Sequence, residues 1–560
     1  MDEFAYYNSQ NEFKNDFIFQ NVQHVWIPDQ NNSSYPNGQV LFDLASLSNS
    51  GKYIDFQQSY IVVPLVVTNV ITGSTAVAVD NAFATSLKNG YHQLINSMSV
   101  ELTNCQVVNL TNFSNLDINY KLLTTCCRED EQNFLPSINF SKDTAESFSY
   151  NGANATGGVG ECNNTIVQTT FTPVGKGYGA NGWNFNQGRI NRMLNTSFDP
   201  SNCPIGGATG LVTASSLKTV SKNYYVTSGN TDNVHYVTAT IPLKIIHDFF
   251  RKMPLTKGAY MRLILNLNTQ CQSVLSITGG NYSGYTTTSL NNVFPLMVSP
   301  IGGGLVLNSG TSVTVGLGIA KSYNTTTSYS HNLSSCRFYA RLCEMTPTAE
   351  EMYLSAVPTK MILYNDILSF TTYNQAPNAQ ISQILTNGVS RPRYLLIIPQ
   401  LAGAINGSAV GTIGSSWSAG VGSASLGTPM NSPFTSSPGT TAPQGSISNI
   451  NVLVSGQVIY QSNYIFGFEE YLQEIRGSNA LNGGIPLGLS SGLLSQNDWE
   501  NGYRFTYVDL SRRISQPNDD ISRSIQVIFT NASPYVTDYF YIIGFEKQIV
   551  VSTSTGSLII

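Results

Sequence analysis

Three segments recur in the same order in the two halves of this chain of 560 residues, and this repeat constrains the fold more than any other feature. The first segment is a strand-like run that contains a proline: YIVVPL from Tyr60 and YLLIIPQ from Tyr394. Copies that lie roughly 260–350 residues apart are typical of a duplicated domain, because solenoids repeat about every 20–50 residues. The chain is therefore predicted to contain two similar domains in tandem.

The other two repeated segments predict the order of elements within each domain. The second predicts a strand, a tight turn, a strand and a short helix: INSMSVELTNCQVVNLTNFSNLDINYKLL from Ile95 and ISNINVLVSGQVIYQSNYIFGFEEYLQEI from Ile447. The third reads ATIPL…MRLILNLNT in the first half and TYVDL…SIQVIFTNA in the second. Alternation of apolar and polar residues is common to all β-sandwiches and would explain matches between single strands. It explains poorly why a strand, a turn, a strand and a helix recur in the same order. The matched positions are Val100 with Val452, Leu102 with Val454, Asn112 with Asn463, and Tyr120 with Tyr471.

Strand patterns dominate the rest of the chain and place it in the all-β class. Met261–Asn268 and Ser524–Thr530 alternate apolar and polar residues with the period of two that a half-buried strand requires. Helical periodicity is confined to short stretches at Leu243–Met253, Tyr464–Ile475 and Thr348–Ser355. Clusters of glycine, asparagine, serine and proline separate the strands, as in β-sandwiches.

The composition argues against direct, sequence-specific binding of nucleic acid. Charged residues make up 11% of the chain, against about 25% in ordinary soluble proteins, and the formal net charge is −5. An arm that binds a genome needs clustered lysine and arginine to neutralise phosphates. The first twenty residues contain Lys14 as their only basic residue.

The N-terminus MDEFAYYNSQ lacks the basic start and the apolar core of a signal peptide. The longest apolar runs, Ile61–Val67 and Leu395–Pro399, fall short of the roughly twenty residues that a membrane-spanning helix needs. The eight cysteines include no CxxC pair, so we expect free and mostly buried thiols. Cys336 and Cys343 lie an odd number of residues apart, so they should face opposite sides of a strand.

We predict no catalytic site, no metal site and no cofactor. None of the five histidines has a partner at His-x-x-x-His spacing, and His247 is expected at a solvated or interface position. The run GLSSG matches a nucleophile elbow around Ser490, but no histidine follows His331, so we interpret it as a turn. Three acidic residues on one predicted helix are interpreted as its solvated or interface face: Glu469, Glu470 and Glu474.

The runs that begin at Cys336, Ile241 and Ser446 resemble segments of the double jelly-roll major capsid proteins, in particular those of polinton-like viruses and virophages. CRFYARLCEMTPTAEEMYLSAVPTKMILYNDI from Cys336 looks like the start of their second roll. IPLKIIHDFFRKMP from Ile241 looks like the end of their first roll. SISNINVLVSGQVIYQSNYIFGFEEYLQEI from Ser446 looks like the strand pair and flanking helix within their second roll.

The resemblance implies two tandem eight-stranded jelly-roll β-sandwiches with a few short helices, and a structural role without enzymatic activity. We expect an N-terminal arm at 1–37, a first roll at 38–275, a linker at 276–329 and a second roll at 330–560. A Gly/Ser-rich surface loop is expected at 402–445, within the second roll.

The resemblance also implies assembly into a virion. Three chains would form a homotrimeric capsomer of pseudo-sixfold shape, and capsomers would tile an icosahedral shell with neighbouring capsomers and minor capsid or penton proteins. A duplicated domain in a trimer supplies the six similar edges that a hexagonal lattice position needs, and a homotrimer is a closed cyclic assembly. Synthesis would take place without a signal peptide in the cytoplasm or nucleus of the host cell.

Four aromatic residues are the candidate interaction residues. Phe13 and Phe17 are spaced i, i+4 in the N-terminal segment, which either packs on its own subunit or docks on a neighbour or an internal membrane. Trp417 and Phe434 are the aromatic residues of the loop at 402–445. Because the composition of this loop cannot bury a core, we expect it to project from the outer face and to pack around the trimer through Trp417 and Phe434. We expect it to contribute host contact or capsomer locking rather than fold stability.

Two other functions fit parts of the sequence. A receptor- or glycan-binding fibre or adhesin would also have low charge, many tyrosines and Gly/Ser-rich loops. A β-sandwich glycosidase would need two carboxylates at a cleft, and no motif supports one.

Overall fold

Antiparallel strands form most of the structure, which is a computed structural model. It describes residues 18–72, 83–143, 187–192, 225–227, 230–278, 281–300, 310, 312–323, 328–356, 358–402, 428, 430–433, 446–460, 466–477, 491–513, 521–533 and 536–559. The strands up to residue 345 are β1 (Phe19–Pro28), β2 (Gln39–Asp43), β3 (Tyr53–Thr72), β4 (Phe83–Leu87), β5 (Ile95–Leu102), β6 (Cys105–Val108), β7 (Tyr225–Thr227), β8 (Asn230–Pro242), β9 (Thr256–Lys257), β10 (Met261–Leu267), β11 (Cys271–Thr278), β12 (Asn281–Thr288), β13 (Leu296–Pro300), β14 (Ser312–Ile319) and β15 (Arg337–Met345). The later strands are β16 (Thr359–Gln375), β17 (Gln380–Val389), β18 (Pro392–Leu401), β19 (Ile447–Val454), β20 (Gln457–Val458), β21 (Thr506–Asp509), β22 (Arg523–Asn531), β23 (Thr537–Ser552) and β24 (Leu558–Ile559).

Short helices lie between the strands. The α-helices are α1 (Ala45–Ser48), α2 (Ser114–Thr125), α3 (Arg128–Asn133), α4 (Gln187–Arg192), α5 (Leu243–Ile246), α6 (Asp248–Lys252), α7 (Pro347–Ala356), α8 (Phe468–Gly477) and α9 (Gln496–Asn501). Turns of 3₁₀-helix cover Tyr91–Leu94, Leu135–Ile138 and Leu510–Arg513.

The later strands form a jelly roll. One sheet has the order β16-β23-β18-β21, and the other has the order β17-β22-β19-β20. When the strands β16 to β23 are numbered from one to eight along the chain, the two orders are 1-8-3-6 and 2-7-4-5. Two packed antiparallel sheets with this winding define a jelly-roll sandwich. This is the second roll, and β24 adds a short pairing to the edge of β23.

The earlier strands form the first roll, which is a jelly roll with the same winding. The order β1-β15-β3-β8 is again 1-8-3-6, and the order β2-β10-β5-β6 is again 2-7-4-5. The repeated sequence segments occupy equivalent strands in the two rolls, at positions three to seven. Even the register agrees, because Tyr60 lies opposite Pro242 and its counterpart Tyr394 lies opposite Asp509. The all-β fold of two tandem jelly rolls predicted from the sequence is confirmed.

The expected boundaries of the first roll differ from those in the structure. β1 pairs with β15, so residues 19–28 are the first strand of the roll and not part of an arm. β15 pairs with β3 and therefore closes the first roll, although its sequence was expected to open the second. The region 276–329 is not a linker, because β14 extends the sheet of the first roll beside β3 and β11 pairs with β14. The second roll begins at β16.

The core of each roll lies between its two sheets. Val100 and Val452 are both fully buried and occupy equivalent positions on the fourth strands. Val100 lies opposite Leu263, and Val452 lies opposite Val527, so the same layer of apolar side chains fills both sandwiches. The alternating burial of β10 follows its sequence pattern, with Leu265 fully buried.

The predicted helix at Leu243–Met253 is divided in two. His247 has an extended backbone, with φ −151° and ψ 143°, and its ring Nδ1 accepts a hydrogen bond from the backbone N–H of Phe249. His247 is therefore the N-cap of α6, and this local hydrogen bond competes with the continuous helix. The predicted helices at Thr348–Ser355 and Tyr464–Ile475 correspond to α7 and α8.

The cysteines that the structure describes are free thiols. Cys336 is buried in the main core of the first roll, whereas Cys343 packs with Tyr53 and Met345 in a separate cluster. The thiol of Cys336, the residue directly before β15, and that of Cys343 within the strand therefore face opposite sides, as their spacing predicted. Cys162 and Cys203 lie outside the described residues.

Candidate functional site: the interface between the two rolls

Helix α2 of the first roll is covered by the outer face of the 1-8-3-6 sheet of the second roll. The contacts are made by three residues at spacings of four and three, which places them on one side of the helix. They are the N-cap Phe113 and the helix residues Asp117 and Tyr120. Tyr394 Oη donates to Asp117 Oδ1 over 2.9 Å. Burial and the charge of Asp117 raise the pKa of Tyr394, so its hydroxyl stays protonated and donates. The ring pairs are Tyr120 with Tyr507, stacked at 5.8 Å, and Phe113 with Phe540, edge to face at 4.9 Å.

The free edge of β16 is closed by side chains of the first roll. Thr111 Oγ1 donates to the backbone carbonyl of Ile367 over 2.8 Å. Asp248 Oδ2 accepts a hydrogen bond from the backbone N–H of Asn365 over 3.1 Å. An edge strand presents unpaired backbone groups that invite non-specific pairing, and these contacts satisfy them within the chain. The second roll is thereby held in one register against the first.

A buried carboxylate lies at the centre of this edge. Asp366 has no exposed surface, and its carboxylate lies 3.3 Å from Lys547 Nζ and 3.4 Å from His247 Nε2. Burial favours a higher pKa, but the hydrogen bond and charge of His247 and the charge of Lys547 outweigh it and hold the pKa of Asp366 below its ordinary value. His247 belongs to the first roll and Asp366 to the second, so their contact would be lost if the rolls separated, and it favours one relative orientation.

A third contact region joins the start of α9 to the first roll. Lys142 Nζ donates to the carbonyl of Leu493 over 2.7 Å and also bonds the carboxylate of Asp498. Gly492 has a φ of +67°, and a Cβ there would lie 2.5 Å from the carbonyl oxygen of Thr124 in α2. The close approach therefore requires glycine at this turn. Of the GLSSG run, the structure describes this glycine and the serine before it, and both lie in a turn.

Residues 428 and 430–433, in the loop of the second roll, lie against the first roll. The ammonium of Lys88, which is almost fully buried, donates to the carbonyls of Met430 and Ser432 over 3.3 and 2.9 Å. The carbonyls of Met430 and Asn431 accept further hydrogen bonds from first-roll donors, the backbone N–H of Phe294 and the hydroxyl of Tyr285. This part of the loop is fixed to the first roll, contrary to the expectation that the loop contributes nothing to fold stability.

Two deletions distinguish the contribution of this contact to stability from that of the rest of the loop. Replacing residues 407–427 with a short Gly-Ser linker is expected to leave the melting temperature unchanged. Replacing 407–440 removes the carbonyl partners of Lys88 and should cost about 2–3 kcal/mol, or roughly 5–10 °C in melting temperature. Differential scanning calorimetry measures both. Equal melting temperatures for the two deletions would contradict a stabilising role for residues 428–433.

The four predicted interaction residues Phe13, Phe17, Trp417 and Phe434 all lie outside the described residues. His247 is at an interface, one of the two positions expected for it. Glu474 is buried and accepts a hydrogen bond from the backbone N–H of Asp509. The interface between the rolls was not predicted, although one signal was present. Asp366 interrupts the apolar run ILYNDIL, and a charge in the middle of a strand indicates a buried partner.

Within the described residues, no group of three His, Cys, Asp or Glu side chains is arranged to hold a metal ion. In the same part of the chain, no helix has the length and apolar character needed to cross a bilayer.

The arrangement of two equivalent rolls joined by a buried polar interface defines a double jelly-roll protein. No family model and no curated protein sequence matches the chain. Among solved structures, a chain of the Sputnik virophage determined by cryo-EM is 13% identical, with a TM-score of 0.50, over 97% of this chain and 88% of that one. The mavirus major capsid protein is 10% identical with a TM-score of 0.43, covering 96% and 89% of the two chains. The Faustovirus major capsid protein is 9% identical with a TM-score of 0.42, covering 94% and 90%.

The likeness to the Sputnik virophage chain extends over both rolls and over nearly the whole length of the chain. It agrees with the strand orders described above, so this chain has the fold of the double jelly-roll major capsid proteins.

Proposed function

We propose that this chain is a major capsid protein, of which three copies form a pseudo-hexameric capsomer that tiles an icosahedral shell. The observation that carries the proposal is the equivalence of the two rolls, which share strand order and register. Three copies of a chain with two equivalent rolls present six similar sides around a threefold axis, and closed cyclic symmetry is the usual form of a homo-oligomer. The likeness in fold to the Sputnik virophage chain supports the same role.

The rigid coupling of the rolls supports this function. A shell subunit must present its edges at a fixed angle, because every lattice contact depends on that angle. The contact of His247 with Asp366 and the hydrogen bond between Tyr394 and Asp117 favour one orientation of the rolls. The protein would reside in the virion and contact neighbouring capsomers and minor capsid or penton proteins. Synthesis would take place in the cytoplasm or nucleus of the host cell.

The four aromatic candidates belong to the same proposal. Phe13 and Phe17 would contact a neighbouring subunit or an internal membrane on the inner side of the shell. Trp417 and Phe434 would pack around the trimer at the outer face.

The first test is the mass and shape of the purified protein. Native mass spectrometry is expected to give three times the 60.8 kDa of one chain, and negative-stain electron microscopy is expected to give particles with a hexagonal outline. A trimer with an elongated, fibre-like outline would favour a receptor-binding fibre instead. A monomer at all concentrations, or turnover of a polysaccharide, would contradict the proposal.

A further inference from the structure

A pocket of about 200 Å³ lies beside the interface between the two rolls, and we call it the interface pocket. One wall is helix α2, which contributes Ile118, Leu122 and Thr125 at spacings of four and three, and therefore from one side of the helix. The helices α5 and α6 of the first roll form the opposite wall. Asn365 of β16 also lines the pocket, so both rolls contribute to it.

The floor of the interface pocket is apolar. Ile118 and Leu122 are buried, and the half-buried Phe134 and Ile245 pack against the core of the first roll. The volume is slightly larger than the roughly 150 Å³ of an engineered apolar cavity that takes up benzene. It has room for one short apolar chain, whereas a helix of a protein partner, about 10–12 Å in diameter, would not enter it.

The lining of the interface pocket is positively charged. Lys121, Lys244 and Arg251 contribute three cations, against the single carboxylate of Asp248. Lys121 pairs with Asp117 at 2.6 Å, on the neighbouring side of α2. Arg251 pairs with Asp248, also at 2.6 Å. Two of the three cations are therefore already balanced by carboxylates of the chain.

The third cation, Lys244, is exposed and lies at the edge of the apolar floor. In the described part of the chain, its ammonium lies 5.4 Å from the centroid of the Phe134 ring and pairs with no carboxylate. The field of the cations extends across the pocket to Asp248. Burial favours a higher pKa for Asp248, but the charges of Arg251 and two lysines outweigh it and hold this pKa below its ordinary value. The pocket therefore favours a negatively charged group beside Lys244.

We propose that the interface pocket binds a single-chain anionic amphiphile of the fatty-acid class. The chain lies on the apolar floor, and the carboxylate lies at the ammonium of Lys244. This inference goes beyond the capsid role and does not depend on it. Because the ligand contacts both rolls, it binds the folded, packed chain in preference to the unfolded chain and stabilises the packing of the rolls.

Isothermal titration calorimetry with three probes tests which chemistry the pocket recognises. Octanoate has both the chain and the charge, and it is expected to bind at a single site. 1-Octanol has the chain without the charge and should bind at least about tenfold more weakly, because charge-assisted hydrogen bonds are the stronger ones. Acetate has the charge without the chain and should show no binding, since it buries little apolar surface.

Two variants locate the site. Lys244→Glu should weaken the binding of octanoate by at least about tenfold and leave that of 1-octanol nearly unchanged, because only the contact with the charge is reversed. Ile245→Trp fills the pocket and should weaken the binding of both. Lys321→Glu is the matched control, because Lys321 is an exposed lysine elsewhere on the first roll and should bind octanoate like the wild type. Circular dichroism verifies that each variant is folded.

Three results would each overturn the proposal. The first is the absence of octanoate binding to the wild type, and the second is equal affinity for octanoate and 1-octanol. The third is a dissociation constant for octanoate that is the same in folded Lys244→Glu as in the wild type, which would place the ligand elsewhere.

Discussion

Val527→Asp is expected to abolish folding of the second roll. Val527 is fully buried and lies opposite Val452 in the core layer between the two sheets. An unpaired carboxylate there costs several kcal/mol whether it remains charged or becomes protonated, which is comparable to the roughly 5–15 kcal/mol by which a domain is stable. Leu265→Asp, on the seventh strand of the first roll, should likewise abolish folding of that roll, because Leu265 is also fully buried.

The measurement is soluble yield together with urea unfolding followed by circular dichroism. Ile384→Asp is a matched control, since Ile384 lies on the neighbouring strand β17 but is 58% exposed. This control should change the free energy of unfolding by less than about 0.5 kcal/mol, as is usual for surface substitutions. A soluble V527D protein with a wild-type unfolding curve would show that β22 is not a core strand.

Asp366→Asn is expected to loosen the contact between the two rolls at a cost of about 2–3 kcal/mol. Removing one partner of a buried ion pair typically costs 3–5 kcal/mol, and the lower figure applies here because Lys547 is 28% exposed and can turn toward solvent. Urea unfolding at neutral pH should show an earlier transition, with the two rolls beginning to unfold separately. Glu101→Gln, which affects the exposed pair with Arg262 on the first roll, should cost less than about 1 kcal/mol.

The same variant should alter the dependence of stability on pH. The pKa of Asp366 is lower in the folded chain than its ordinary value of 3.8, so its ionised form favours the folded state. The stabilisation is complete above that ordinary value and is lost as the pH falls through the lower, folded value. The wild type should therefore lose more stability than Asp366→Asn when the pH is lowered from 7 to 3. Equal losses would contradict the assignment.

The repeat allowed the duplicated fold to be predicted because strands three to seven of each roll keep their spacing and apolar pattern. The first and eighth strands of the first roll were assigned wrongly for a different reason. β1 is exposed on most of its length, so it carries little of the alternation that marks a half-buried strand. The inserted strands β11 to β14 separate β15 from the seventh strand, and the sequence gives no sign that β15 pairs back to β3.

The interface between the rolls depends on contacts between residues far apart in the chain, which local patterns do not specify. Tyr60 and Tyr394 match in sequence, yet one is half-exposed and the other is buried against α2. Their different surroundings arise from the packing of one roll on the other. The composition of the Gly/Ser-rich loop likewise did not indicate its contact with the first roll. Met430 and Ser432 lie in this loop, and their carbonyls bind Lys88.

The pairing of β1 with β15 has a consequence for synthesis on the ribosome. The first sheet cannot close until residue 345 has emerged, although its first strand emerges long before. At about 5–20 residues per second, this delay amounts to roughly 20 seconds to a minute. Throughout this interval the nascent chain must keep the exposed edge of β3 from pairing with other polypeptides. β16 emerges directly afterwards, so the second roll starts to fold when a folded first roll is available for it to pack against.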